Sequence, residues 1–208
     1  MAVTRLPFTR DSDVAPAAAA LGEVLSAGGV TIVPTETYYG LAADPRDGAA
    51  VRKVFALKDR PESQPLPVVC ADWRQVESLA SVPERFRVKL SRSWPGPLTV
   101  VLPATASCPV APTATIAVRI PGHHRLRAAL YLVGPVTATS ANRHGAPPPT
   151  RVDDALRDLC GDPDLVLDGG MTAGGMASTV VDLCGPEPVV LRPGAVDWDE
   201  GDAWPGLA

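Results

Sequence analysis

Apolar residues recur at helical spacing in several parts of the chain. Ala, Leu and Val mark one side of a predicted helix over 13–27, and Gly28-Gly29 ends this pattern. Similar spacing predicts five further helices, over 49–57, 73–79, 83–93, 124–132 and 152–159.

Short apolar runs rich in β-branched residues alternate with these helices and predict strands. They lie at 30–33, 66–70, 98–102, 116–120, 136–139, 165–168, 178–183 and 189–191. The alternation predicts an α/β fold, and hairpin-length spacing late in the chain favours a mixed sheet. No repeat or linker divides the chain, so a single domain is expected, with a loose tail from Val196.

Composition and charge narrow the class of protein. The chain has 208 residues, 46% of them hydrophobic, which is enough for a substantial core and excludes a disordered protein. A net charge of −4 and 5% aromatic residues argue against a nucleic-acid backbone as the main ligand. Residues 1–13 do not resemble a secretory signal, and no apolar run could span a bilayer. We therefore expect a cytoplasmic protein that does not associate with membranes.

Neither cysteine nor histidine spacing indicates a metal site. The cysteines form no C-x-x-C pair, and the histidines complete no zinc pattern. The residues concerned are Cys70, Cys108, Cys160, Cys184, His123, His124 and His144. The cysteines are predicted to be buried or half-buried free thiols, and His123 and His124 to cap a helix.

Hydroxyl, amide and charged side chains gather where predicted strands begin or end, in the segments 34–41, 137–142, 177–182 and 191–194. In open α/β sheets, ligands bind beyond the strand ends. These residues are suited to a phosphate or a small zwitterion, but ordinary turns and caps use the same residue types. Both interpretations stay open.

Four cationic side chains also allow either a structural or a ligand-binding interpretation. Lys58 and Arg60 follow a helix and are expected to be exposed, either satisfying the helix dipole or clamping a polyphosphate. Arg119 lies within an apolar strand, where a buried charge needs a partner, so it forms a salt bridge or binds a carboxylate. Arg192 allows the same two interpretations.

Known phosphate-binding and hydrolase motifs are absent. The chain has no Walker A sequence, no G-x-G-x-x-G and no G-x-S-x-G. The glycines of 169–175 form either a flexible connector or a loop that approaches phosphate closely.

Seven short motifs occur in one order along the chain. They are Pro-Thr-Glu-Thr-x-Tyr-Gly-Leu at 34–41, Lys-x-Arg-Pro at 58–61, Trp-Pro-Gly-Pro-Leu-Thr at 94–99, Val-Arg-Ile-Pro-x-His at 118–123, Ser-Ala-Asn at 140–142, Ser-Thr-Val-Val-Asp at 178–182 and Leu-Arg-Pro-Gly at 191–194. In this order they resemble the YrdC-like family of threonylcarbamoyl-AMP synthases, over about residues 28–196.

The resemblance implies a single YrdC-like domain over 10–198, with terminal extensions at 1–9 and 199–208 and without the further C-terminal domain of longer relatives. It implies a twisted mixed sheet flanked by helices, with a concave, positively lined cavity. The implied enzyme is a nucleotidyltransferase that makes threonylcarbamoyl-AMP and pyrophosphate from L-threonine, bicarbonate and ATP. Downstream transferase proteins would pass the threonylcarbamoyl group to adenosine 37 of tRNA.

The resemblance also implies residue roles. Threonine contacts would come from Thr37, Arg119, Ser140 and Ser178. ATP contacts would come from Lys58, Arg60, Gln64, Thr115, Asn142, Thr150 and Arg192, with Lys58 and Arg60 aligning the phosphates. Mg²⁺ would be held through the ATP phosphates and not by protein side chains. No catalytic base is implied, because a carbamate is already an anionic nucleophile.

Two departures from the family pattern concern substrate choice. Val69 stands where some members have a histidine that contacts threonine, and Arg143-His144-Gly145 replaces the common x-Ser-Gly. A related carbamate-adenylating enzyme with another amine is therefore kept as an alternative. Because the resemblance implies a basic cavity, a double-stranded RNA-binding or ribosome-assembly protein is kept as a second alternative. A weak RNA affinity beside the enzyme activity is also kept.

Overall fold

The helices follow the apolar spacing of the sequence closely. The computed structural model describes residues 3–62, 64–106, 110 and 114–198. Within these residues it contains six α-helices, Val14–Ser26 (α1), Gly48–Lys58 (α2), Trp73–Leu79 (α3), Glu84–Ser93 (α4), His124–Val133 (α5) and Val152–Asp158 (α6). All six predicted helices are thus confirmed, and each predicted boundary falls within one residue of the observed one.

Side-chain caps explain several of these boundaries. The Asp47 carboxylate accepts hydrogen bonds from the amides of Ala49 and Ala50 at the start of α2. Asp72 caps α3 through the amide of Gln75 in the same way. The predicted end of α1 is also confirmed, since Gly28 adopts a φ of +68°, a conformation that glycine adopts without strain.

The strands form two mixed sheets. Within the described residues they are Thr4–Pro7 (β1), Thr31–Pro34 (β2), Tyr39–Ala42 (β3), Val68–Val69 (β4), Leu98–Pro103 (β5), Thr115–Arg119 (β6), Val136–Thr137 (β7), Thr139–Ser140 (β8), Leu165–Asp168 (β9), Thr179–Asp182 (β10) and Val189–Arg192 (β11). The first sheet has the order β1-β9-β2-β3-β8, and the second has the order β11-β10-β5-β6-β4-β7.

The α/β class and the mixed pairing are confirmed, but the expectation of one sheet is wrong. The strand predicted at 136–139 is two strands, since β7 belongs to the second sheet and β8 to the first. The chain crosses between the sheets at Ala138. A run of apolar residues reveals an extended segment but not its pairing partners, and these are chosen by the tertiary structure.

Two strands were not predicted. β1 pairs in parallel with β9, although most of its residues are exposed and give no apolar signal. β1 lies within the segment 1–9, which was predicted to be an extension. The domain boundary at residue 10 stays a prediction. β3 is buried throughout, but its residues 39–41 belong to the segment 34–41, for which only a ligand site or ordinary turns and caps were considered.

Two apolar clusters form the core. The smaller cluster joins α1 and α5 to β1 and β9, with Leu21, Leu130 and Leu167 fully buried. The larger cluster joins both sheets to the remaining helices. Burial of this apolar area is the main favourable contribution to folding.

The C-terminal part of the described chain is packed against α4. Trp198 is 6% exposed, its ring lies edge-on to Phe86, and the Lys89 ammonium lies 4.3 Å from the ring centroid. The expectation of a loose tail from Val196 is therefore wrong as far as Trp198. The predicted extension 199–208 lies outside the described residues.

The thiols differ in exposure. Cys70 is buried as predicted, whereas Cys160 and Cys184 are exposed, contrary to prediction, because both lie in loops after the core elements. Cys108 lies outside the described residues. Among the described helices, none combines the length and the apolar composition needed to cross a membrane.

Candidate functional site

One cavity of about 500 Å³ is lined by residues of both sheets. Thr99 and Val101 of β5 and Ala117 and Arg119 of β6 contribute one wall, because residues two apart on a strand face the same side. The turn before β3 and the strand β8 contribute from the first sheet. The volume lies within the range of about 300–1,000 Å³ that is typical of small-molecule sites.

The turn between β2 and β3 presents Thr37 to this cavity. The Thr35 hydroxyl donates to the carbonyl of Tyr38 at 2.7 Å and accepts from the amides of Thr37 and Tyr38 at 3.2 and 3.1 Å. A threonine side chain that bonds its own turn in this way fixes the backbone. Thr37 is consequently held at 7% exposure on the cavity wall.

The same turn holds the glycine-rich loop in place. The Tyr39 hydroxyl donates to the Gly170 carbonyl at 2.6 Å and accepts from the Gly169 amide at 3.0 Å. The Gly174 amide donates to the Thr37 carbonyl at 2.8 Å. Residues 169–175 do not line the cavity. The loop is therefore hydrogen-bonded to the turn beside the cavity, and its two interpretations, a flexible connector or a loop that approaches phosphate, stay open.

Arg119 forms the salt bridge that the sequence left open, and its binding of a ligand carboxylate stays a prediction. Its Nε donates to the Gly96 carbonyl at 3.0 Å, and its Nη2 donates to Oε1 of Glu36. The side chains of Arg119 and Glu36 are 10% and 8% exposed, so the ion pair is nearly buried. Arg119 also lines the cavity. The motif 94–99 thus positions Arg119 through the Gly96 carbonyl.

Arg192 holds Ser178 in place. Its Nε and Nη2 donate to the Ser178 carbonyl at 3.1 and 2.7 Å, and Nη2 also donates to the Ser178 hydroxyl at 3.0 Å. That hydroxyl lies 3.1 Å from the Thr99 hydroxyl. Burial, and secondarily the charge of Arg119, lower the pKa of Arg192, which indicates two cations facing one space.

The motif 191–194 requires glycine at its last position. A Cβ on Gly194 would lie 2.3 Å from the Ala177 carbonyl oxygen and 2.4 Å from the Thr179 amide nitrogen. Both neighbours are backbone atoms, so no side chain fits there. This close approach seats the end of the motif on the start of β10 and brings Arg192 to Ser178.

Arg60 and Asn142 each bring a buried polar atom to the site without a partner among the described residues. Arg60 donates to the Thr139 hydroxyl at 3.2 Å and the Pro65 carbonyl at 3.0 Å, while its Nε has no partner. Asn142 donates to the carbonyls of Arg143 and Ala146 at 2.8 and 2.7 Å, while its Oδ1 has none. Buried groups of this kind are normally satisfied, so both atoms are unusual beside the cavity, and the contact of either residue with ATP stays a prediction.

Lys58 does not have the predicted exposure. It is the last residue of α2, it is 2% exposed, and it does not line the cavity. Its Nζ donates to the carbonyls of Ser140 and Asn142. Burial, with a smaller contribution from the Arg60 charge, lowers the pKa of Lys58 to about 8. Lys58 thus anchors the Ser-Ala-Asn segment.

The structure brings together seven of the eleven residues that the sequence assigned to ligands. Those lining the cavity are Thr37, Arg60, Arg119, Ser140, Asn142, Ser178 and Arg192. Lys58, Gln64, Thr115 and Thr150 do not line it, and their contacts with nucleotide stay predictions. Glu36 and Thr99 were missed, although both lie inside the motifs at 34–41 and 94–99.

The two departures from the family pattern differ in position. Val69 lies on the cavity wall at 2% exposure. Arg143 and His144 are exposed and do not line the cavity. Only the first departure therefore lies where it could change substrate contacts.

His123 caps α5 as predicted, since its Nδ1 accepts from the Leu126 amide at 3.1 Å. Burial lowers the pKa of His123 to about 4, although the nearby Glu36 charge opposes this shift. The ring is therefore neutral at pH 7, and its hydrogen lies on Nε2.

The charged lining of the cavity suits an anion. Three guanidinium groups and several hydroxyls face it, whereas the described part of the chain offers no group of three His, Cys, Asp or Glu side chains that could hold a metal. Fold and site together define an α/β protein with a cavity suited to an anionic, hydrogen-bonding small molecule.

The comparisons assign the family. The family model Sua5_yciO_yrdC, described as "Telomere recombination", matches residues 23–194. The chain belongs to this Sua5/YciO/YrdC family.

Named relatives extend over most of the chain. The threonylcarbamoyl-AMP synthase of Pyrococcus abyssi is 41% identical over 181 residues, covering 83% of this chain and 52% of the relative. The Bacillus subtilis protein of that name is 38% identical over 201 residues, covering 94% and 57%. The crystal structure of P. abyssi Sua5 complexed with L-threonine superposes with a TM-score of 0.85 at 35% identity, covering 96% of this chain and 59% of that one. The chain thus spans little more than half the length of these relatives.

Proposed function

We propose that this chain forms L-threonylcarbamoyl-AMP and pyrophosphate from L-threonine, bicarbonate and ATP. The observation that carries the proposal is the convergence of Arg60, Arg119 and Arg192 on one cavity that also holds the hydroxyls of Thr37 and Ser178. An amino acid needs a cation for its carboxylate, and a triphosphate needs several. The names of the relatives, and the threonine bound to one of them, support the same assignment.

In this reaction the protein mainly aligns the reactants and stabilises their charge. CO₂ released from bicarbonate adds to the unprotonated amine of threonine, and loss of a proton to solvent gives a carbamate. The carbamate oxygen attacks the α-phosphorus of ATP while pyrophosphate leaves. Arg119 would bind the threonine carboxylate, and Arg60 and Arg192 would stabilise charge on the phosphates. Preorganised donors of this kind lower the barrier because they need no reorganisation during the reaction.

Mg²⁺ would enter with ATP. The fixed cations and hydroxyls of the cavity fit phosphate oxygens, so we propose that the phosphates and not the protein side chains carry the ion. When bound there, Mg²⁺ would neutralise phosphate charge.

The product has a mixed anhydride bond and must be consumed by an acyl-transfer reaction. We propose that transferase proteins acting on tRNA take it up, and that the reaction occurs in the cytoplasm, where these substrates meet.

Pyrophosphate release tests this function. We expect release only when ATP, a divalent metal, bicarbonate and L-threonine are all present, with mass spectrometry identifying the adenylate. Valine, which lacks the hydroxyl, should be a poor substrate because buried hydroxyl partners would be left unpaired, and serine should be intermediate. Release that persists without bicarbonate would contradict the carbamate and favour direct adenylation of an amino acid.

The same preparation tests the RNA alternative. An RNA backbone binder loses affinity steeply as salt rises. Steep salt-dependent binding of double-stranded RNA, together with no pyrophosphate release, would favour that alternative instead.

A further inference from the structure

We propose that Glu36 determines which ligand charge the Arg119 end of the cavity accepts, so that this end takes a zwitterion and excludes phosphates. The inference rests on the proposed function for the identity of the zwitterion. Its basis is the nearly buried pair of Glu36 and Arg119, one of whose members lines the cavity.

The three arginines of the cavity differ in whether a carboxylate neutralises their charge. Arg119 carries an ion pair to Glu36. Within the residues that the structure describes, Arg60 and Arg192 bond only to hydroxyl and carbonyl oxygens. Their positive charge is therefore available to a ligand, whereas the charge of Arg119 is cancelled locally.

A contribution to folding stability does not explain why the Glu36 carboxylate is buried. Its Oε2 is buried and has no hydrogen-bond partner among the described residues. An unsatisfied carboxylate oxygen is costly to bury, and a buried ion pair contributes little net stability. The neighbouring His123 does not compensate, because burial lowers its pKa to about 4 and the ring is neutral. A carboxylate kept under these conditions calls for a functional reason.

Charge discrimination supplies that reason. An anion bound to the Arg119 guanidinium would share that group with the Glu36 carboxylate, and like charges within about 4–6 Å of each other repel strongly. A phosphate carries only negative charge and is repelled. An amino acid places its ammonium group beside its carboxylate, so the same Glu36 charge attracts part of the ligand. The arrangement prevents a phosphate of ATP or free pyrophosphate from occupying the amino-acid end.

Calorimetry with inorganic phosphate and L-threonine tests the inference. The variants are Glu36→Gln, which keeps the shape and removes the charge, and Glu36→Asp, which keeps the charge. We expect phosphate affinity to rise roughly tenfold or more in the Gln variant, and phosphate then to compete with threonine. In the wild type and in Glu36→Asp, phosphate should compete with ATP but not with threonine.

A double variant locates the effect. In Glu36→Gln combined with Arg119→Met, the gain in phosphate affinity should disappear, since no cation remains there. Unchanged phosphate affinity in a folded Gln variant would overturn the inference, and so would a gain that survives in the double variant.

If the Gln variant does not fold, binding of a threonine analogue to the wild type tests the inference instead. 2,3-Dihydroxybutyrate with the stereochemistry of L-threonine has a hydroxyl in place of the ammonium and therefore a net negative charge. We expect it to bind at least roughly tenfold more weakly than threonine, and equal affinity would overturn the inference. Failure of the proposed function looks different, because the wild type would then bind neither threonine nor ATP, while phosphate affinities could still be compared between variants.

Discussion

The ammonium nitrogen of Lys58 lies 2.7 Å from the carbonyl oxygen of Asn142 and also donates to the carbonyl of Ser140. These bonds tie the end of α2 to the segment that brings Ser140 and Asn142 to the cavity. A third bond joins the same two segments, since the His144 amide donates to the Lys58 carbonyl at 2.7 Å. Lys58 is thus placed to position the site through its neighbours.

The first prediction concerns the protonation of Lys58. Burial lowers the pKa of its ammonium from 10.5 to about 8. Between these values the unfolded chain binds more protons than the folded one, so the contribution of Lys58 to the free energy of unfolding rises with pH in this window. Below about pH 8 both states are protonated, and the contribution is constant. The rise should total about 3.5 kcal/mol at most, at about 1.4 kcal/mol for each pKa unit.

Urea unfolding of the wild type and of Lys58→Met from pH 7 to 10.5 checks this. Above pH 8, the free energy of unfolding of the wild type should increase relative to that of the variant. Parallel curves for the two proteins would show that the Lys58 pKa is not lowered by folding.

The second prediction separates the two ends of the cavity. Arg119→Met should weaken L-threonine binding and leave ATP binding nearly unchanged, whereas Arg60→Met should do the reverse. A lost hydrogen bond to a charged group costs about 1.5–3 kcal/mol, so each affected KM or Kd should rise roughly tenfold or more.

Calorimetry with each ligand measures both affinities, and Arg92→Met, on the exposed face of α4, serves as the control. Thermal unfolding must accompany Arg119→Met, because this change leaves Glu36 without its partner. Equal losses for both ligands in both variants would contradict the division of roles.

The third prediction compares two buried threonines in strands. The Thr99 hydroxyl lies 3.1 Å from that of Ser178, whereas the Thr31 hydroxyl is buried without a hydrogen-bond partner among the described residues. Thr99→Val should weaken threonine binding by about 0.5–1.5 kcal/mol, the typical value of one hydrogen bond. Thr31→Val removes a polar group that gains nothing from burial, and it should stabilise the fold by about 1 kcal/mol without affecting binding.

Threonine titration and urea unfolding of both variants test this pair. The outcome that contradicts it is a stabilised Thr99→Val protein that binds threonine normally.

The fourth prediction concerns acid stability. Burial lowers the pKa of His123 from 6.5 to about 4. Between these values protonation favours the unfolded state, so stability is present above pH 6.5 and falls as the pH drops towards 4. His123→Asn keeps a side-chain acceptor for the Leu126 amide and removes the titrating ring.

The Asn variant should therefore lose less stability than the wild type between pH 6.5 and 4, as measured by thermal unfolding. His124→Asn is the matched control at a neighbouring, 63% exposed side chain, and it should retain the His123 contribution. If the stability of His123→Asn falls with decreasing pH as steeply as that of the wild type, another group causes the acid sensitivity.

Local sequence patterns were enough to predict the six helices, most of the strands and the family resemblance. Apolar spacing of 3.6 residues is a local property, so α1 and α5 can be located without knowing what they pack against. The motifs likewise include most of the residues that line the cavity, because each turn carries its own polar side chains.

The contacts between these elements could be read only from the three-dimensional fold. The pairing of Glu36 with Arg119 joins residues 83 positions apart, and the burial of Lys58 depends on carbonyls more than 80 positions away. Neither relation leaves a periodic signal. The crossing at Ala138 between β7 and β8 is of the same kind, since alternation identifies the faces of a strand but not the strand beside it. The charge state of the cavity therefore emerges from long-range contacts, while the elements that form it arise locally.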